Sequence, residues 1–206
     1  MAEMVLLYLL SRASDYSGNH ENLYIWSRCW NFVLSKLWFM PGKVNRVIHL
    51  EKINGENVWN ILKLNVSENQ KNFVASNDIS IIEAYTAITS NGHAFPFGIY
   101  EDKNPVGFLM VGYDKDDYWK DAPAIADGNY NLWRLMIDKD YQNKGYGRQA
   151  VKLALEFIRT FPCGKAAFCW LSYEPENEVA KALYASFGFT ETGEKDGEEQ
   201  IAVLKL

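Results

Sequence analysis

The run Gln142-Asn143-Lys144-Gly145-Tyr146-Gly147, followed by Arg148, concentrates more chemistry than any other stretch of this chain. It lies between an apolar run at 132–137 and a helical stripe of Val151, Ala154, Leu155 and Ile158. Two glycines let the backbone turn tightly and approach a ligand with no Cβ in the way. The helix that starts there leaves its first amides without intrahelical acceptors and carries a partial positive charge at its tip. Lys144 and Arg148 add full positive charge. Together these features predict a site for an anion such as a pyrophosphate.

Two known phosphate loops can be set against this one. Gly145-Tyr146-Gly147-Arg148-Gln149-Ala150 matches the dinucleotide fingerprint GxGxxG/A. That fingerprint usually opens its fold and needs several strands after it, whereas the stretch from Ala150 to Leu206 has room for about two helices and a hairpin. A Walker A loop fails because no Gly-Lys-Ser/Thr stands at the required spacing.

The elements that must position this loop read as a single α/β domain. Residues 47–53 form a β-rich opening, and Val58, Ile61 and Leu62 a brief helical stripe. Ser80-Ile81-Ile82-Glu83 reads as a capping box that starts a helix. Ile81, Ala84, Tyr85 and Ile88 would be its apolar face and Gly92 its end. The runs 95–100 and 106–113, joined by Glu101-Asp102-Lys103-Asn104, predict a hairpin, and the acid-rich stretch 114–128 a solvated loop. A strand at 166–173 precedes a helix striped by Val179, Ala180, Leu183, Tyr184 and Phe187 and ended by Gly188. A last hairpin turns at Asp196-Gly197. Strands and helices alternate only in part, so the sheet should be mixed.

Composition narrows the function classes. Hydrophobic residues at 48% and charged residues at 23% exclude a disordered or fibrous chain. A net charge of −5 with no dense Lys/Arg run argues against nucleic acid as a partner and suits a cationic small substrate. Cys29, Cys163 and Cys169 form no CxxC pair, and His20, His49 and His93 lie far apart, so no metal site is expected. The apolar run from Met4 to Leu10 is far too short to span a bilayer. Residues 1–39, with Trp26, Trp30 and Trp38 and a helical spacing from Leu23 to Leu37, read as an N-terminal extension or accessory segment. Residues 40–206 would then form the domain, with Met40 as the start of the natural chain if the segment is an upstream extension.

The glycine loop resembles the signature of the GNAT superfamily of acetyl-CoA-dependent N-acetyltransferases, Gln/Arg-x-x-Gly-x-Gly/Ala after the fourth strand. A second match is Asn177, then Leu183-Tyr184, then Gly188-Phe189. The resemblance covers roughly 47–206. Within it, Leu132-Trp133-Arg134-Leu135-Met136-Ile137-Asp138 and Ser172-Tyr173-Glu174-Pro175-Glu176-Asn177 look most like the bacterial diamine, spermidine and spermine acetyltransferase branch. The resemblance implies the α/β GNAT fold. Its mixed, mostly antiparallel twisted sheet has about six to seven strands, splayed at the cofactor site and flanked by about four helices. It also implies acetyl-CoA as cosubstrate, no metal, a cytoplasmic location and a homodimer. The amides of Gln142, Asn143, Lys144, Gly145, Tyr146, Gly147 and Arg148 would hold the pyrophosphate. The backbone of Leu135, Met136 and Ile137 would pair with the pantetheine arm, Asn177 would meet the cofactor from the other side, and Tyr184 would be the general acid.

Spacing alone makes Tyr184 a core aromatic, since it shares a helical stripe; the acid role comes from the resemblance. Attack on a thioester needs a neutral amine, yet a primary alkyl amine is almost wholly protonated near neutral pH. The site must therefore accept a proton from the amine and stabilise the departing thiolate. Some polyamine acetyltransferases place a glutamate base on the fourth strand, where this chain has Trp133 beside Arg134. A water relay is expected in its place. A polyamine acceptor would want acids and aromatic faces at intervals, and Glu56, Glu83, Tyr85 and Asp114 are candidates. The acceptor expected is a primary amine of a polyamine or diamine. An aminoglycoside, an amino acid or a protein N-terminus, or a non-catalytic acyl-CoA-binding module, stays open as an alternative.

Overall fold

The computed structural model describes residues 47–206, which belong to one unit. The expectations for 1–39 lie outside the described residues. Within them run β1 (Ile48–Lys52), α1 (Val58–Ile61), α2 (Asn77–Thr89), β2 (His93–Glu101), β3 (Asn104–Tyr113) and β4 (Tyr130–Ile137). There follow α3 (Tyr146–Ile158), β5 (Phe168–Tyr173), α4 (Glu178–Ala185), β6 (Thr190–Asp196) and β7 (Glu199–Lys205). The seven strands make one sheet in the order β1-β2-β3-β4-β5-β7-β6, antiparallel except where β4 meets β5. This is the mixed, mostly antiparallel sheet with four helices expected from the sequence.

Burial on both faces explains the near-continuous apolar runs of β2 and β3. Leu109 and Val111 of β3 join a core on the α3 side with Val151, Ala154, Leu155 and Ile158, the stripe predicted for that helix. Phe108 and Met110 alternate to the opposite face, against Ile61, Ala84 and Ala87 of α1 and α2. The two helical layers thus clamp the central strands from both sides.

Helix α2 departs from the expectation at both ends. It starts at Asn77 with Ser76 as N-cap, so Ser80 lies one turn inside, where its hydroxyl donates back to the Ser76 carbonyl at 3.0 Å. The Ser80/Glu83 pair is therefore no capping box. The buried face is Asn77, Ser80, Ala84 and Ala87, while Tyr85 and Ile88 point to solvent. These small residues bring the helix close to the sheet. Termination falls to Asn91, which takes the left-handed conformation at φ 62°. The Gly92 amide then donates to the Ala87 carbonyl at 2.8 Å, closing the helix end from the residue beyond.

Asn77 also fastens α1 to α2: its Nδ2 donates to the carbonyls of Ile61 at 2.9 Å and Leu64 at 3.4 Å from a buried position. Truncation to alanine would take the side-chain donor from both carbonyls, leaving Ile61 with only the Leu64 amide at 3.1 Å. Asn77→Ala should lower unfolding free energy by about 1–3 kcal/mol, read from urea denaturation.

Candidate active site

Strands β4 and β5 pair over only two rungs, Tyr130 with Cys169 and Asn131 with Trp170. Beyond Asn131 no residue of β4 has a partner on β5, although β5 continues to Tyr173 against β7. The β4 edge through Leu135, Met136 and Ile137 is thus a strand edge open toward a cleft. On its other side β4 stays in register with β3, Leu109 opposite Leu135 and Gly107 opposite Ile137. The carbonyls of Trp133 and Ile137 accept from Arg134 Nη1 at 2.9 Å and Gln142 Nε2 at 3.0 Å.

A bulge marks the start of the open segment. Met110 faces Arg134 and Val111 faces Leu132, which leaves Trp133 as the extra residue. The slip turns two successive side chains toward the α2 face. Trp133 stacks on Trp119 with centroids 6.4 Å apart and planes within 8°, and Arg134 reaches both carboxylate oxygens of Glu83 at 3.0 and 3.2 Å. Glu83 is therefore an ion-pair partner inside the cleft wall.

The glycine loop follows β4 directly and is latched at two points. Asp138 is buried and accepts from the Asn65 amide at 2.9 Å and the Asp140 amide at 3.0 Å. Gln142 is the second latch, its Nε2 also donating to Gln70 Oε1 at 2.8 Å. Asn143 and Gly145 are both left-handed, at φ 61° and 82°, and Gly145 is the N-cap of α3. Having no side chain, it caps none of the first-turn amides, and no acidic residue stands in that turn. The amides of Gly147 and Arg148 have no acceptor within the helix. A Cβ at Gly147 would meet only Ile137 at 4.0 Å and Leu183 at 3.7 Å, ordinary contacts, so the fold itself does not demand glycine there. A ligand lying close to the backbone would. The loop therefore fits an anionic group approaching the tip of α3.

The other predicted residues have definite places. Lys144 folds back, donating to the Asp140 carbonyl at 2.7 Å over the Tyr141 ring. Arg148 donates to Ser186 Oγ at 2.7 Å, bridging α3 to the end of α4. The Tyr146 side chain is in the core, so its backbone is what the loop offers. Asn177 caps α4, its Oδ1 accepting from the Ala180 amide at 3.1 Å. Tyr184 is packed between Tyr173 and Phe189, with centroids 6.0 and 5.9 Å away. The ring is core, as its place in the helical stripe implied, and no described residue hydrogen-bonds its hydroxyl. Burial, reinforced by the charge of Glu199, pushes its phenol well above the ordinary tyrosine range, so the proton stays on at neutral pH.

Sequence reasoning missed the last hairpin's share of the site. Glu199 accepts from the Ser172 hydroxyl on β5. Burial and Glu199 push the Asp196 carboxyl up, while Arg134 pulls it down, so these groups share one electrostatic neighbourhood. The signal available was Asp196-Gly197, a turn dipeptide that gave no hint of the tip folding back toward β4.

An open strand edge beside an uncapped glycine helix tip, with a protonated tyrosine on the adjacent helix, suits a transferase whose acyl group arrives on a long anionic carrier. The chain belongs to the Acetyltransferase (GNAT) family, whose model matches residues 54–189. It is an acetyl-CoA-dependent N-acetyltransferase of that type. It is 31% identical over 166 residues to the probable spermine N(1)-acetyltransferase of Bacillus subtilis subsp. natto and 30% identical over 166 residues to the spermine/spermidine N(1)-acetyltransferase of Bacillus subtilis strain 168. Each match covers 77% of this chain and 99% of the relative. The fold matches spermidine N-acetyltransferase from Vibrio cholerae, solved with CoA and spermine, at a TM-score of 0.54 and 19% identity, covering 79% of this chain and 96% of that one. Among the described residues no helix is long and apolar enough to cross a membrane.

Helix α4, and Tyr184 with it, is tied to β5 and β6 through Glu191. That carboxylate accepts from the Tyr173 hydroxyl at 2.7 Å and pairs with Lys181 at 3.0 Å. The Tyr173 hydrogen bond first, then Lys181, holds its pKa below the ordinary 4.5. A depressed carboxylate contributes stability fully above its unfolded value and loses it as pH falls through the folded one. The contribution should disappear below about pH 4.5, and Glu191→Gln should flatten that part of the acid-unfolding curve.

Proposed function

We propose that the chain moves the acetyl group of acetyl-CoA to a primary amine of a linear polyamine or diamine such as spermidine or spermine. The observation that carries the cofactor half is Gly147 beside the open β4 edge, a glycine whose Cβ the protein itself has room for. The amine half rests on the two Bacillus relatives. When bound, acetyl-CoA supplies the thioester carbonyl that the amine attacks.

This chain's residues would divide the remaining work. The amides of 142–148, with Lys144 and Arg148 close by, hold the diphosphate. The edge of Leu135, Met136 and Ile137 takes the pantetheine arm in the manner of an added strand. Asn177 closes the opposite side. Tyr184 donates a hydrogen bond to the departing sulfur. Its phenol binds a proton more tightly than a thiol does, so it steadies the sulfur, and the proton that finally settles there comes from the amine. The ammonium's other proton, lost before attack, leaves through water, with Asp196, whose carboxyl burial raises, and Glu199 as the carboxylates at hand. Cys163 and Cys169 are free thiols, which suits the cytoplasm. The exposed Ile79 and Ile82 of α2 offer a face for a second copy.

Thiol release from acetyl-CoA, followed with spermidine, spermine, putrescine, lysine and an aminoglycoside in turn, tests the reading. Release confined to the linear polyamines is expected; release with another amine alone discards the substrate class. Tyr184→Phe should lower kcat by about a hundredfold with the acetyl-CoA KM little changed. Gly147→Ala, which adds only the Cβ the fold has room for, should do the reverse, raising that KM while the melting temperature holds.

A further inference from the structure

Beyond the bulge, at the end of β4 away from the glycine loop, α2 and the 114–128 loop enclose a cavity of about 20 Å3. It has room for one group the size of a water molecule. Its walls include Asp114, Asp116, Trp119, Asn131, Trp133 and His93. Outside it, Asp114, Asp116 and Trp119 also line an open cleft of about 470 Å3, together with Asp117, Asp127, Lys115 and Lys120. The mouth is therefore acidic on balance.

Asn131 is the feature that makes this more than a cluster of acids. It is only 8% exposed, and its Oδ1 is buried without a donor among the described residues. A buried amide oxygen left unpaired costs free energy, so its retention on a cavity wall points to a donor that arrives from outside. The two carboxylates, Asp114 exposed and Asp116 half-buried, are fixed by loop amides. Asp114 Oδ1 accepts from the amides of Lys115 at 2.8 Å and Gly128 at 3.2 Å. Asp116 Oδ1 accepts from those of Tyr118 at 2.8 Å and Trp119 at 2.9 Å. Each keeps its second oxygen unspent. Gly92 makes the arrangement possible, since a Cβ there would stand 2.8 Å from the Asp116 Cβ and push the loop away.

We propose that this cavity binds a primary alkylammonium, and that in the reaction it holds the far ammonium of a linear polyamine while another nitrogen of the same molecule is acetylated. A primary ammonium brings three N–H donors and the positive charge, matching one amide and two carboxylate oxygens. The Trp119 and Trp133 rings offer faces to the charge and to the methylenes behind it. A hard divalent cation would want six or more oxygens, twice what the walls provide. Four strand steps lead from Asn131 to Leu135 on the open edge, roughly 13 Å, so the cavity and the cofactor edge lie along one line of approach. The bulged Trp133 stands between them.

The transfer part of this proposal rests on the polyamine reading above; the binding part does not. The test uses the full chain with two readouts. Tryptophan fluorescence is titrated with spermidine, 1,4-diaminobutane, butylamine and, as a control, sodium chloride. Spermidine KM and kcat are measured alongside. Asp114→Asn and Asp116→Asn are the variants, each keeping an oxygen for the loop amides. Spermidine should perturb the fluorescence saturably, and each variant should weaken that binding and raise spermidine KM by roughly tenfold with kcat nearly constant and butylamine KM unchanged. Spermidine binding that depends on Asp116 in a chain inactive toward every polyamine would keep the cavity and overturn the polyamine reading. Active enzyme whose spermidine binding and KM stay within twofold in both variants would overturn the cavity and keep the activity. A fluorescence response to sodium chloride equal to that with spermidine would likewise overturn an alkylammonium site.

Discussion

Everything at the active site follows from the parting of β4 and β5 after two rungs. Main-chain amides and carbonyls must find partners, and a sheet normally supplies them from the next strand. Here one strand is released in mid-sheet while its neighbour goes on to pair with β7. The open edge is the consequence, and it is held rigid because the other side of β4 stays in register with β3. Two tryptophans mark the place where the strands separate: the bulged Trp133 and the buried Trp170, both within ring contact of Trp119. The helix tip at Gly145 and the packed Tyr184 are brought to that opening because Gly147 sits between Ile137 of β4 and Leu183 of α4.

Charge within the cleft is arranged as a mixture. Arg134 is held by Glu83 on one side and acts on Asp196 on the other. Burial holds the Tyr184 proton in place, the charge of Glu199 adds to it, and Glu199 is itself bonded by Ser172. Four separate elements, α2, β4, β5 and the β6–β7 hairpin, thus contribute to one electrostatic unit. Residues that look unrelated along the chain, from Glu83 to Glu199, have to be considered together when any one of them is changed.

The sheet was legible because its signals are local. The apolar run 106–113, the turn at 101–104 and the stripe from Val151 to Ile158 each follow from neighbours a few residues apart. The glycine loop was legible for the same reason. Helix α2 was misjudged at its start because Ser76 and Ser80 present the same chemistry, and only tertiary burial of Asn77 selects the earlier cap. The Glu83–Arg134 pair, the Trp119–Trp133 stack and the return of Asp196 toward β4 join residues far apart in sequence, so no periodicity could announce them. The adjacent Trp133 and Arg134 did break the alternation of their strand, and that break was the one local trace of the bulge.

The order of strands across the sheet also bears on how the protein is made. Strand β7 lies between β5 and β6 and is the partner of both, although it is the last of the three to be synthesised. Until Glu199–Lys205 has left the ribosome, β5 has only its two rungs with β4, and its other edge is bare. The half of the sheet that carries Tyr173 and supports Tyr184 must therefore close late, after α3 and the first four strands are available to template it. A nascent chain halted within the final hairpin would expose a sticky apolar strand, so a factor that shields it during translation would act on that interval alone.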